Sequence, residues 1–290
     1  MDTLNKDELS VVVMNLDLPT LLNLCESSKE LKAKVCNNPN VWNYKLVKDY
    51  PEYKELDLSF LSPYSPREIF IFMYQLDYIR KLLNSKESLK DIFLKKGLDL
   101  SNKKLKKIPS FNLPSLQKLF LSYNQLAEVP NFNLPSLQSL WLNNNQLKEV
   151  PNFNLPSLQK LYLPNNQLTE IPNFNLPNLE VLYLINNQLT EVPNFNLPNL
   201  QRLYLSHNQL TEVPNFNLPN LEVLSLNGNR LTEVPDFNFS YLKDLYLENN
   251  QLTEIPKFNL PSLKELSLEN NKLGKNTKKE IKERYKFAKF

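Results

Sequence analysis

The chain has 290 residues, of which 41% are hydrophobic and 22% are charged, and this is the composition of a globular protein of one or two domains. Its three glycines form no phosphate-binding pattern. The net charge of +3 is small and its excess of basic residues lies in residues 275–290, so we predict no nucleic-acid partner. No apolar run approaches the ~18 residues that would span a membrane, and we predict no membrane association.

The beginning of the chain and its cysteines bear on cellular location. Residues 1–17 contain no basic leader before an apolar stretch and no cleavage site. Cys25 and Cys36 are the two cysteines, and no cysteine-rich caps are visible. We therefore predict a reducing, intracellular and cytoplasmic location, or the host cytoplasm if the chain comes from a virus or another intracellular pathogen. Both thiols are expected to be buried, because no histidine lies nearby to activate them.

Residues 1–50 predict a helical module, in which Pro19 starts a helix and Trp42 is a large anchor after a turn. The stretches Leu18 to Cys25, Ser28 to Leu31 and Asn38 to Trp42 resemble an F-box over residues 4–46. That family docks on the adaptor Skp1 in a ubiquitin ligase. The resemblance implies Skp1 contacts at Leu4, Leu9, Val12, Leu16, Leu18, Pro19, Leu21, Leu22 and Trp42. The alternative is a plain helical cap on the repeat that follows.

Residues 51–94 predict a helical linker that caps the first repeat. Ser65-Pro66-Arg67-Glu68 is a capping box with proline at the first helical position. Apolar residues then recur at helical spacing, at Ile69, Phe72, Met73, Leu76, Ile79 and Leu83. We expect a rigid linker that packs on the repeat.

A leucine then returns every 21 residues, at Leu98, Leu119, Leu140, Leu161, Leu182, Leu203, Leu224, Leu245 and Leu266. One unit, residues 116–136, reads L-x-x-L-x-L-x-x-N-x-L-x-x-V/I-P-x-F-x-L-P-x. Leu119 and Leu121 alternate with outward residues, as in a β-strand, and a fixed period indicates one small unit stacked many times. The pattern resembles the leucine-rich-repeat family over residues 95–274.

We therefore predict an α+β repeat fold, a nine-coil leucine-rich-repeat solenoid over residues 95–274 with a parallel sheet on its concave face. Two prolines per return segment predict a helix-poor convex side, extended or 3₁₀. Residues 275–290 predict a basic capping helix with a capping box at Thr277 and Glu280. Ile281, Tyr285 and Ala288 would share its buried face.

An asparagine column is predicted to be structural. A polar residue at an inward position needs hydrogen-bond partners, and its amide can bond the backbone of the turn and of the adjacent coil. The column comprises Asn124, Asn145, Asn166, Asn187, Asn208, Asn229, Asn250 and Asn271.

Variation in the repeat is concentrated on the concave face. The residue between the two strand leucines is often aromatic, which predicts a partner-binding surface formed by Phe120, Trp141, Tyr162, Tyr183, Tyr204 and Tyr246. The alternative is that these rings only pack on one another within the sheet. The C-terminal coils predict an acidic end at Asp244, Glu248, Glu265 and Glu269. A partner with an apolar stretch and a basic end would fit this face.

We predict no enzyme, no cofactor and no metal site, because His207 is the only histidine and neither cysteine has a catalytic partner. The resemblances together imply a monomeric substrate-recognition adaptor of a Skp1-cullin-F-box ubiquitin ligase, with the target protein on the concave face. The short, nearly invariant units resemble chains of large DNA viruses or intracellular pathogens. The alternative is a scaffold or decoy that binds a host protein without a ligase role, and a more remote one is a cation- or glycan-binding surface.

Overall fold

The computed structural model describes residues 13–27, 29, 32–56, 58 and 65–290. The chain divides into two compact units, residues 1–94 and residues 95–290. Of the residues to which the F-box resemblance assigns Skp1 contacts, Leu4, Leu9 and Val12 lie outside the described part of the chain.

The described part of the N-terminal unit is helical. Its helices are α1 (Leu18–Ser27), α2 (Pro39–Asp49), α3 (Pro66–Leu83) and α4 (Leu89–Phe93), with a π-helical turn at Lys32–Cys36 and a 3₁₀ turn at Pro51–Glu55. Asn38 caps α2 by accepting a hydrogen bond from the backbone N–H of Asn40 at 3.0 Å. The capping box predicted before α3 forms, since Ser65 and Glu68 bond each other's backbone N–H.

The core of this unit is formed by side chains from α1, α2 and α3. The Trp42 ring lies 5.6 Å from the Phe70 ring, and its Nε1 donates to the carbonyl of Cys36 at 2.9 Å. Leu18, Leu21 and Trp42 are all buried within the unit. These three side chains, for which the resemblance implied Skp1 contacts, therefore stabilise the module instead of offering an outer surface.

Cys25 and Cys36 are joined in a disulfide, and both are buried. Burial of both cysteines agrees with the expectation from the sequence, whereas their pairing was not predicted. Disulfides persist mainly in oxidising compartments. The pairing therefore does not support the reducing environment that we predicted, and a cytoplasmic location stays a prediction.

The second unit is a parallel solenoid with one short strand per coil. Nine strands follow the period of 21 residues, and all pair in sequence order in a single ten-stranded sheet. The nine strands on the period are β1 (Gly97–Asp99), β2 (Lys118–Phe120), β3 (Ser139–Trp141), β4 (Lys160–Tyr162), β5 (Val181–Tyr183), β6 (Arg202–Tyr204), β7 (Val223–Ser225), β8 (Asp244–Tyr246) and β9 (Glu265–Ser267). The tenth strand, β10 (Ala288–Lys289), lies outside the period. No helix is present between residues 100 and 274, which confirms the predicted helix-poor convex side.

Stacking of the coils buries their repeated apolar residues. In the coil that begins at Leu137, the leucines, Val150 and Phe153 are all buried. Phenylalanines of neighbouring coils meet inside the solenoid, and the Phe153 and Phe174 rings are 6.4 Å apart. Each buried side chain of this size contributes roughly 1.5–3 kcal/mol, and a single coil could not bury them without its neighbours.

Each asparagine of the buried column ties two coils together. The Nδ2 of Asn187 donates to the carbonyls of Leu184, in its own coil, and of Leu163, in the preceding coil, both at 3.1 Å. Its Oδ1 accepts from the N–H of Leu168 at 3.1 Å. The other members of the column repeat this pattern. Backbone groups that the short strands leave unpaired are thereby satisfied.

The residue before each buried asparagine adopts a left-handed conformation. Asn144, Asn165 and Asn186 have φ between 55° and 58° there, and asparagine tolerates this region better than most residues. Their exposed amides also form a second ladder, in which Asn186 donates to Asn165 at 2.9 Å. The consecutive asparagines thus have separate roles, which the sequence analysis did not distinguish.

The C-terminal segment differs from its predicted form. Helix α5 (Lys275–Arg284) begins after Gly274, and no capping bond from Thr277 forms, so the predicted capping box is wrong. Ile281 is fully buried, but Ala288 lies in β10, which pairs in parallel with β9. The physical reason is that the edge of β9 leaves backbone groups unpaired. One of them, the N–H of Leu268, donates to the carbonyl of Lys289 at 2.9 Å.

Candidate functional site on the solvent-facing sheet

A continuous row of stacked aromatic rings occupies the concave face, the side of the sheet that points away from the core. We call Phe120, Trp141, Tyr162, Tyr183 and Tyr204 the aromatic ladder. Successive ring centroids are 4.2, 5.2, 4.9 and 4.3 Å apart, and the planes of neighbouring rings differ by 2° to 16°. Tyr246 also lies on this face, but Ser225 separates it from the ladder.

The stacking stabilises the sheet and leaves the rings in contact with solvent. Aromatic pairs of this kind contribute about 0.5–1.5 kcal/mol each beyond the area they bury, so the ladder stabilises the sheet. All five rings nevertheless remain half-exposed, since the leucines on either side of each ring face the core. Lateral packing therefore accounts for the stacking and leaves a rigid apolar strip in contact with solvent.

The charge next to the ladder reverses along the sheet. The first residue of each strand forms a column beside the rings, and it includes Lys118, Lys160 and Arg202 in the first coils. The same column continues as Asp244 in β8 and Glu265 in β9. The N-terminal part of the face is therefore basic beside the rings, and the C-terminal part is acidic.

The four carboxylates predicted at the C-terminal end lie on this face, and we call Asp244, Glu248, Glu265 and Glu269 the acidic patch. Burial raises the pKa of Glu248, and the negative charges of Glu269 and Glu265 add to this effect. Burial, followed by repulsion from Glu265, also raises the pKa of Asp244. Within the described residues, the Oε2 atoms of Glu248 and Glu269 are buried and have no hydrogen-bond partner.

One carboxylate of the patch is compensated. Lys289 of β10 pairs with Glu265, and this hydrogen bond holds the pKa of Glu265 below its usual value. Glu265 also accepts a hydrogen bond from the Tyr246 hydroxyl at 3.2 Å. Burial together with the charges of Asp244 and Glu265 raises the pKa of Tyr246 to about 12. Glu265 is thus tied into the sheet, whereas the buried Oε2 atoms of Glu248 and Glu269 accept no hydrogen bond from a described residue.

A polar junction separates the ladder from the acidic patch, and the sequence analysis missed it. Ser206 and Ser225 both donate to the Oδ1 of Asn227 at 2.6 Å, and their own hydroxyls are 2.5 Å apart. The available signal was the loss of the aromatic residue at Ser225. Beside the junction, a Cβ on Gly228 would lie 2.6 Å from the Nδ1 of His207, so glycine is needed there for the imidazole to lie across the coil.

The N-terminal unit offers a separate exposed surface. Of the remaining residues assigned to Skp1 contact, Pro19 is exposed, and Leu16 and Leu22 are half-buried. Tyr44 and Val47 on α2 are 63% and 51% exposed, which is unusual for large apolar side chains. The sequence analysis did not single out these two residues, although their spacing of three places them on one side of the helix.

The described part of the chain lacks two other kinds of functional feature. No helix there is long and apolar enough to cross a membrane. Likewise, no group of three or more histidine, cysteine, aspartate or glutamate residues among those described is arranged to hold a metal ion.

Comparisons with known proteins agree with the repeat fold. Residues 114–155, 156–197 and 198–238 match the family described as Leucine Rich repeats (2 copies), and residues 219–273 match the family described as Leucine rich repeat. No curated protein sequence matches the chain.

Several solved structures of bacterial proteins are similar. YopM, a leucine-rich effector protein from Yersinia pestis, is 29% identical with a TM-score of 0.58, over 69% of this chain and 60% of YopM. InlP from Listeria monocytogenes is 33% identical with a TM-score of 0.56, over 68% of this chain and 63% of InlP. An internalin-like protein of the same species is 28% identical with a TM-score of 0.54, over 67% of this chain and 66% of that protein. The chain therefore spans less than two thirds of YopM and InlP.

Proposed function

We propose that this chain, whose repeat array belongs to the leucine-rich-repeat family, binds a protein partner on its concave face. The aromatic ladder carries the proposal, because a continuous row of half-exposed rings is a rigid apolar surface of the kind that protein interfaces use. The ladder also lies where the repeat varies, whereas the leucine and asparagine columns hardly change. The likeness to a bacterial effector supports a role in interaction.

The test removes the central rings and leaves the coils otherwise intact. Tyr162→Ala with Tyr183→Ala should abolish retention of the partner by the immobilised chain. The matched control is Glu170→Ala with Glu191→Ala, two exposed residues in the same two coils but outside the sheet. Proteins from a cell extract that wild type and control retain, and that the ladder variant loses, would support the proposal. Equal retention by all three would contradict it and leave only lateral packing.

A finer proposal concerns the N-terminal unit. We propose that it recruits Skp1, so that the chain acts as a substrate-recognition adaptor of a Skp1-cullin-F-box ubiquitin ligase and works by proximity, without chemistry of its own. Support comes from the F-box resemblance and from the exposed apolar side chains of α1 and α2, Pro19, Tyr44 and Val47. The alternative is a scaffold or decoy that binds a host protein without a ligase.

Calorimetric titration of the full chain with purified Skp1 separates these two roles. We expect binding that Leu22→Glu weakens, because Leu22 lies one helical turn from Pro19 on α1. Ser27→Glu is the control, since this exposed residue lies on another side of the same helix. An absence of heat at any protein concentration would reject the adaptor and favour the scaffold or decoy.

A further inference from the structure

The acidic patch continues the proposed binding face beyond the aromatic ladder. One coil separates the two, since Tyr204 lies in β6, the polar junction includes Ser225 of β7, and Asp244 and Glu248 belong to the coil of β8. The same column that carries Lys160 and Arg202 beside the rings carries acids here. A partner that extends along the sheet would therefore meet an apolar surface first and a negative one next.

Two carboxylate oxygens in the patch lack the partners that buried acceptors normally have. The Oε2 atoms of Glu248 and Glu269 are buried, and no described group donates to either. Lys289 forms its ion pair with Glu265, which raises the pKa of Lys289 more than the charges of Glu269 and Glu248 do. Lys243 pairs with Glu222 at 2.8 Å. Buried acceptors without donors destabilise a protein, and such groups in native structures call for an explanation.

We infer that the partner segment on the concave face carries an arginine that enters the acidic patch and donates hydrogen bonds to Glu248 and Glu269. An apolar stretch of the same segment lies on the aromatic ladder. This inference rests on the proposed function of the concave face. It adds the kind of side chain that the partner carries and the residues of this chain that bind it.

The spacing of the coils sets the spacing within that segment. Neighbouring parallel strands are about 4.8 Å apart, so the coils of Tyr204 and Glu248 are about 10 Å apart across the sheet. An extended chain advances about 3.3 Å per residue, so the arginine should follow the last apolar anchor by about three residues.

Arginine fits this site better than lysine does. Glu248 and Glu269 occupy the same position in adjacent coils, so their carboxylates lie about one strand spacing apart. A planar guanidinium has five N–H donors in a fixed fork and can bond two carboxylates at once. A lysine ammonium is a compact point charge that would satisfy such a pair less completely.

The experiment uses the full chain and a designed probe. The probe is a fluorescent peptide with leucines at alternate positions, followed about three residues later by two arginines, and its affinity is measured by anisotropy. Glu248→Gln with Glu269→Gln should weaken binding about ten- to hundredfold, since hydrogen bonds to charged groups are among the strong ones. Glu233→Gln with Glu254→Gln changes net charge equally at two exposed positions of adjacent coils and should leave the affinity unchanged.

The outcomes separate this inference from the proposed function. Replacing both peptide arginines with glutamine should weaken binding to wild type as much as the patch variant does, and should not weaken the variant further. Equal affinity of wild type and the patch variant, or no binding of the probe to wild type, overturns the inference. If Tyr162→Ala with Tyr183→Ala still abolishes partner retention in that case, the proposed function stands alone. A melting temperature of the patch variant that is no lower than that of wild type verifies its fold.

Discussion

The buried asparagine shows how a single polar residue joins neighbouring coils. Asn187 is 8% exposed, and its amide takes part in four hydrogen bonds to backbone groups of two coils. The bonds to Leu163, Leu168 and Leu184 are buried between the stacked coils. The asparagine therefore allows a strand of three residues to end inside the solenoid without unpaired backbone groups.

Asn187→Leu should lower the free energy of unfolding by about 1–3 kcal/mol, because the buried N–H of Leu168 and the two carbonyls lose their partner. Chemical denaturation of the full chain measures the change. Asn196→Leu is the control, since this asparagine is exposed in the return segment of the same coil, and it should change stability little. A similar loss in both variants would show that the column contributes no more than surface polarity.

The raised pKa of Glu248 predicts that the stability of the fold depends on pH. Burial is the largest influence and raises this pKa, and the charges of Glu269 and Glu265 raise it further. A hydrogen bond from its own backbone and, to a smaller extent, His207 act in the opposite direction. A carboxyl with a raised folded-state pKa binds its proton more tightly in the folded chain, so this group destabilises the fold above that pKa and ceases to do so as the pH falls through it.

We therefore expect Glu248→Gln to raise the melting temperature at neutral pH, and the gain should shrink as the pH falls towards 4.5, the usual glutamate value. Thermal melts of wild type and variant across this range measure the difference. Glu254→Gln, at an exposed position outside the sheet, should show no such pH-dependent gain. A gain that is constant with pH would point to packing and not to charge.

At the scale of elements, α5 and β10 cover the last coil. Ile281 of α5 is fully buried, and the Tyr285 hydroxyl donates to the carbonyl of Phe258 at 3.2 Å. Strand β10 then pairs with β9 and satisfies its edge. A solenoid needs such a terminal cover, because its last coil has no following coil to bury its apolar side.

Ile281→Ala should destabilise this end by about 2–5 kcal/mol, since it leaves a cavity under the cap. The coils are linked mainly to their neighbours, so the loss should be local. Hydrogen exchange should accelerate in β9 and β10 and much less in β4. Lys282→Ala, an exposed neighbour in the same helix, is the control. Uniform acceleration throughout the sheet would mean that the array unfolds as one cooperative unit.

At the scale of the whole array, the coils behave as interchangeable units. Each strand pairs only with its neighbours, in an unbroken register that matches Leu161 with Leu182 and Leu182 with Leu203. The stability of such an array is roughly a sum of the contributions of single coils and of the contacts between adjacent coils.

Deleting residues 163–183, one full period, joins Tyr162 to Leu184 and keeps the register. We expect this shortened chain to fold with a modestly lower melting temperature. Deleting residues 163–172 should instead disrupt the array, because removal of about half a period places the leucine columns of successive coils out of register. Circular dichroism melts compare the two. A full-period deletion that unfolds the chain as completely as the half-period one would contradict this interpretation.

Much of the fold could be predicted from the sequence, because the repeat makes each position's environment a copy of the one 21 residues away. The strand leucines, the asparagine column and the helix-poor convex side follow from local alternation, polarity and proline content. The ends were harder to predict, since α5 and β10 have no repeated counterpart. The sequence placed Ala288 on a helix because it could not show that the edge of β9 was open to pairing.

The candidate site was predictable as a list of residues but not as an arrangement. The sequence by itself determined that aromatic side chains occupy one face of successive strands and that acids follow them. Only the tertiary structure decided that the five rings stack, with successive centroids no more than 5.2 Å apart, and that Cys25 pairs with Cys36. It also decided the partners of the carboxylates. Lys289 pairs with Glu265, whereas Glu248 and Glu269 each have a buried oxygen without a described donor. The reason is that the burial of a side chain and its ion-pair partner depend on residues that are distant in sequence. Stacking of the coils and the C-terminal cap bring these residues together, and the order of residues along the chain does not specify which of them will meet.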